Sequence, residues 1–197
     1  MADVAVAKKN PAGVLWWAPL GTPLPENAHD KLNEAFHSVG LLDEDGVTYG
    51  EDNDTTKVAD MDGETALAIN SSHEETIKFT MLETNEYSLK LRFGSENVII
   101  DAAKESIHYS TTPPTGEKVA LVADILMAGN DRRKRTVIEV ASVTDTEERQ
   151  EHAADAITYG VTCTAYRNSQ NHFTENYIEP LKPKTQSGAV VAPGESH

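Results

Sequence analysis

The chain has 197 residues, of which 39% are apolar, with a mean hydropathy of −0.46 and 32 acidic residues against 17 basic ones, a net charge of −15. That length holds one domain with a core, plus a tail. The charge excludes DNA or anionic lipid as an attractive ligand, because phosphate binders draw their affinity from Lys and Arg; it suits a protein that stays soluble when concentrated, or that lets DNA pass without holding it.

The first ten residues place Lys8 and Lys9 after a short apolar stretch, the reverse of a secretory leader. An extended arm over about 1–12 is expected there. No apolar run approaches the length of a membrane span, so a soluble protein made in a cytoplasm is expected. Val14-Leu-Trp-Trp-Ala18, bounded by Pro11 and Pro19, predicts a first strand. Trp16 and Trp17 point to opposite faces of it, so both faces must meet something. Prolines in Gly21-Thr-Pro-Leu-Pro25 forbid a helix. Leu32, Ala35, Phe36 and Val39 then recur at helical spacing before Gly40, which predicts a short helix over 28–39.

From Asp43 to Glu64 the chain is acidic and punctuated by glycine, with Lys57 as its only base, and an exposed loop is expected. A short strand is expected at Leu67–Ile69. Glu75 to Glu83 alternates, with Ile77, Phe79 and Met81 on one face and Thr76, Lys78 and Thr80 on the other, the signature of a half-buried strand. Asn85 to Gly94 fits a strand by alternation, but Asn85 as N-cap, Glu86 in the first turn and Gly94 as a stop favour a helix. Further strands are expected at 98–100, 106–110, 119–127, 136–143 and 156–166. Gly129 to Arg135 joins two of them as a hairpin tip, and from Glu179 onward the composition predicts an arm or disordered tail, with the tail proper at 181–197. The pattern predicts a mainly β domain over 1–180, a sandwich or barrel with one or two short helices.

Chemical motifs are sparse. Asp43-Glu-Asp-Gly46 and Asp60-Met-Asp-Gly63 invite a calcium reading, but an EF-hand needs an acidic ligand five positions before the glycine, where Leu41 and Val58 stand. Glu148 and His152 are four apart, without a third ligand. The single cysteine, Cys163, sits in an alternating run and reads as a small strand residue rather than a nucleophile. There is no phosphate loop or nucleophile elbow, so no catalytic residue, metal or cofactor is expected. Arg132-Arg-Lys-Arg135 is the one dense basic patch. It is open to two readings: a solvated hairpin tip that discourages edge pairing, or a contact with an acidic surface such as the 43–64 segment of another copy.

Three ordered stretches carry a family likeness: Val14-Leu-Trp-Trp-Ala-Pro-Leu-Gly-Thr-Pro-Leu-Pro25 with Val39-Gly-Leu-Leu-Asp-Glu-Asp-Gly-Val-Thr48; Thr76-Ile-Lys-Phe-Thr-Met-Leu-Glu-Thr-Asn85 with Phe93-Gly94; and Ala156-Ile-Thr-Tyr-Gly-Val-Thr-Cys-Thr-Ala-Tyr166. Together, over about residues 10–170, they resemble the major tail tube proteins of long-tailed phages, especially those of actinobacteria. The departure is at Met61-Asp-Gly63, where an aromatic is expected. The resemblance implies a virion protein whose subunits close into hexameric rings with a continuous inner β-barrel and stack into the tube that conducts DNA. It also implies a tape measure protein, a tail terminator and distal tail or baseplate proteins as partners. Within that frame the candidate contact residues between subunits or rings are Asp43, Glu44, Asp45, Glu51, Asp52 and Asp54 on the acidic side, and Arg132, Arg133, Lys134 and Arg135 on the basic side. The competing reading is a calcium- or carbohydrate-binding β-sandwich module acting as a decoration or receptor-binding protein.

Overall fold

The computed structural model describes residues 4–181 except 150, 152, 154 and 155. It is mainly β, with one helix. The strands are β1 (Val6–Lys9), β2 (Leu15–Pro19), β3 (His37–Ser38), β4 (Leu42–Ala59), β5 (Thr65–Met81), β6 (Val98–Asp101), β7 (Ser106–Tyr109), β8 (Lys118–Ala128), β9 (Arg132–Thr146), β10 (Tyr159–Tyr166) and β11 (Glu175–Pro180). The helix, α1, spans Glu86–Phe93. Nine strands form one antiparallel sheet in the order β3-β2-β8-β9-β10-β5-β4, with β1 beside β8 and β11 beside β9; β6 and β7 form a separate hairpin.

Strand β8 is buried on both faces from Val119 to Asp124, which explains its nearly unbroken apolar run. One face carries the larger core, where Leu15, Trp17, Leu121, Ile138, Phe79, Met81 and Val161 meet Leu89, Leu91 and Phe93 of α1. The other face holds Trp16, Ala18, Val122 and Val137 under Phe36, Leu32 and Leu24. The two tryptophans do face opposite cores, and Trp17 Nε1 donates to the Tyr87 carbonyl at 3.1 Å, tying β2 to the helix. The helix starts where its cap predicts: Asn85 Oδ1 accepts from the Tyr87 and Ser88 amides, and Ser88 Oγ accepts from the Asn85 amide. Gly94 ends it.

Several expectations are corrected. No helix forms over 28–39. Asn27 Oδ1 accepts from the His29 and Asp30 amides, Asp30 from the Glu26 amide and Asn33 from the Ala35 amide. These local side-chain bonds hold turns in competition with a helix. The Asn27 and Asp30 carbonyls meanwhile accept from Arg135. The apolar residues of the segment reach a core all the same. The acidic segment is not a loop: Leu42–Ala59 is strand β4, paired along nearly its whole length with β5. Only Asp60–Glu64 turns, with Asp60 Oδ1 accepting from the Asp62 and Glu64 amides. The hairpin tip between β8 and β9 is shorter than expected, since Arg132–Arg135 already belong to β9. Val6–Lys9 is extended but paired with β8, and Glu179 and Pro180 complete β11 against β9. The tail at 182–197 lies outside the described residues.

Candidate assembly interface

The acidic and basic contact candidates singled out in the sequence fall into three settings. Asp43, Glu44 and Asp45 stand where the β4–β5 register skips between Leu42 and Val47, a bulge turned by Gly46 at a φ of 66°. Glu51, Asp52 and Asp54 lie further along β4, all exposed. Of the basic residues, only Arg132 is fully at the surface. Lys134 Nζ sits 5.5 Å above the Tyr49 ring. Arg135 is 1% exposed and faces its cross-strand partner Asp124, itself 0% exposed. The pair is bidentate, with Arg135 Nε to Asp124 Oδ1 at 2.9 Å and an Arg135 terminal nitrogen to Oδ2 at 2.8 Å. Arg133 also donates to Asp124.

The basic run is therefore not one patch. Strand alternation sends Arg133 and Arg135 to the face that holds the 26–30 turns, and Lys134 to the opposite face. A signal for this was present: Asp124 interrupts the apolar run of β8, and a carboxylate in a strand buried on both faces needs a cationic partner. The structure does bring Lys134 together with Asp43, Glu44 and Asp45, along a groove of about 340 Å³ that Val47, Ile125, Ala123 and β1 also line.

Past His73, whose ring packs edge-on against Phe173, the β4–β5 ribbon leaves the rest of the molecule. Every described side chain from Glu51 to Ser72 is exposed. The whole hairpin, 42–81, carries eleven carboxylates against Lys57 and Lys78. In addition β1, β3, β4 and β11 each pair on one side only among the described residues. Long one-sided edges can template pairing with another chain, and a lone two-stranded ribbon is marginal in water.

Burial pushes the Cys163 thiol up to about 12, so it stays protonated and inert at neutral pH. Asp60 is occupied in forming the ribbon's turn, and no group of three His, Cys, Asp or Glu among the described residues could hold a metal ion. His152, one half of the Glu148–His152 pair, lies outside the described residues. No described helix is long and apolar enough to cross a membrane.

Fold and surface together give a mainly β subunit with, among the described residues, one-sided strand edges and a projecting acidic ribbon. The chain belongs to the phage tail tube protein family, whose model matches residues 5–187. No curated protein matches it. It is a structural component of the virion, part of the tail tube.

Proposed function

We propose that this subunit closes into hexameric rings, that the rings stack into the tube of a long-tailed phage, and that the tube conducts DNA into the host. The observation that carries this reading is the set of one-sided strands: rings that pair them would convert aggregation-prone edges into a continuous inner barrel. A tape measure protein, a terminator at one end and distal tail proteins at the other complete such a tube. The family match favours this over a calcium- or carbohydrate-binding module.

Contacts between copies draw on Asp43, Glu44, Asp45, Glu51, Asp52 and Asp54 on one side and on Arg132 and Lys134 on the other. Arg133 and Arg135 support this end of the sheet through Asp124 instead. Cryo-electron microscopy of tails or of polymerised protein is expected to resolve six copies per ring. A tail that lacks this chain, or rings of another number, would overturn the proposal.

A further inference from the structure

We propose that the distal β4–β5 ribbon of one copy seats an apolar face in the groove beside β1 of a second copy. The inference rests on the tube reading and gives one of its contacts a location. Val58 lies opposite Leu67, and Thr56 opposite Ile69, so Val58, Leu67 and Ile69 share one face of the ribbon. The other face carries Lys57, Ala68, Thr55 and Asn70. Val58, Leu67 and Ile69 are 49%, 52% and 51% exposed, and Met61 at the turn is 105% exposed. A strand pair with one apolar face and nothing upon it is built to be covered.

The groove supplies what that face needs. Its floor includes Val14, Val47, Ala123 and Ile125, and its volume of about 340 Å³ is an order of magnitude above the ~30 Å³ share of one water molecule. The ribbon of the same chain cannot fill it. Val47 and Tyr49 of β4 already form one wall, and Val58 is nine residues further along the same paired ribbon, about 30 Å away at strand spacing. A ribbon held by its ladder does not fold back on its own base, so a ribbon that enters the groove belongs to another copy.

Charge sets the direction of entry. Asp60, Asp62 and Glu64 crowd the turn of the ribbon, while Lys8 and Lys9 stand on the β1 side of the groove and Asp43, Glu44 and Asp45 on the other. The acidic turn is drawn to the β1 side and repelled from the β4 side. Ribbon into groove is a head-to-tail contact between different surfaces, the kind that propagates rather than closing as a dimer.

The test uses the full-length chain. Leu67→Glu with Ile69→Glu alters only exposed positions, so circular dichroism and melting should match the parent. The critical concentration for tube growth should rise by about tenfold or more, because two charges would have to be buried. Separately, Ala7→Cys with Leu67→Cys should give an intermolecular disulfide ladder in assembled protein under oxidation, with buried Cys163 silent. Sodium sulfate should promote growth of the parent, as an apolar contact requires. Normal growth of the double glutamate variant, or no ladder from tubes that do form, would overturn the groove contact and leave the tube intact. A parent chain that forms no tubes and is missing from tails would instead overturn the tube reading itself.

Discussion

Asp124 shows how one side chain can organise a region. It is fully buried in β8, and it receives both Arg135 and Arg133 from β9. Arg135 spends its remaining donors on the Asn27 and Asp30 carbonyls, at 3.1 and 2.8 Å, so the cluster also fixes the turns over the sheet. Desolvating three charges makes the net contribution of such a cluster small, but removing one partner leaves the others buried and unmatched. Asp124→Ala is therefore expected to destabilise the subunit by about 3–5 kcal/mol in chemical denaturation. That is a large part of the ~5–15 kcal/mol typical of a domain. A loss below ~1 kcal/mol would mean that water reaches the guanidinium groups once the carboxylate is gone.

The ribbon is the element whose behaviour should change most on assembly. Its proximal half is held by β10, with Val161 opposite Phe79 and Cys163 opposite Ile77. Its distal half has only its own ladder, and a lone pair of strands is marginal in water. In the unassembled protein the amides of 52–72 are expected to exchange rapidly with deuterium and the 60–64 turn to be open to proteases. In tubes the same amides should slow by about tenfold or more, equivalent to ~1.4 kcal/mol of added protection. Exchange that stays unchanged on assembly would show that the ribbon remains in solvent. The helix offers a contrast, since its cap, its Trp17 bond and its burial against the core are complete within one chain.

At the scale of the whole molecule, the excess of carboxylates has consequences for both transport and growth. A conduit for DNA gains from a wall that repels phosphates, since attraction would hold the strand. Once a tube is resolved, inward-facing Asp and Glu should outnumber Lys and Arg; a basic inner wall would refute the low-friction account. Subunits at a net charge of −15 also repel one another. Exposed ion pairs of the kind Arg132 would make between copies are worth only about 0–1 kcal/mol each and are screened by salt. Arg132→Glu should thus slow tube growth modestly and leave folding untouched, as read by light scattering and melting.

What could be read from residue order alone was whatever depends on near neighbours and on period. Alternation placed β10 and the 75–81 part of β5, the strands expected at 119–127 and 136–143 fall within β8 and β9, the Asn85 cap and Gly94 framed the helix, and Trp16–Trp17 foretold two covered faces. Three ordered stretches resembled the tail tube family that the family model matches. The 42–59 segment was misread because its strand character comes from its partner: a polar, glycine-broken stretch becomes β when an antiparallel neighbour satisfies its backbone. Leu32, Ala35 and Phe36 kept helical spacing without a helix, because side chains of Asn27, Asp30 and Asn33 and the distant guanidinium of Arg135 took the hydrogen bonds. The basic run looked like a single patch because adjacency along the chain says nothing about which sheet face is covered. Side-chain alternation along β9 turned Arg133 and Arg135 to Asp124 and left Lys134 over Tyr49, and those partners exist only once the sheet has formed.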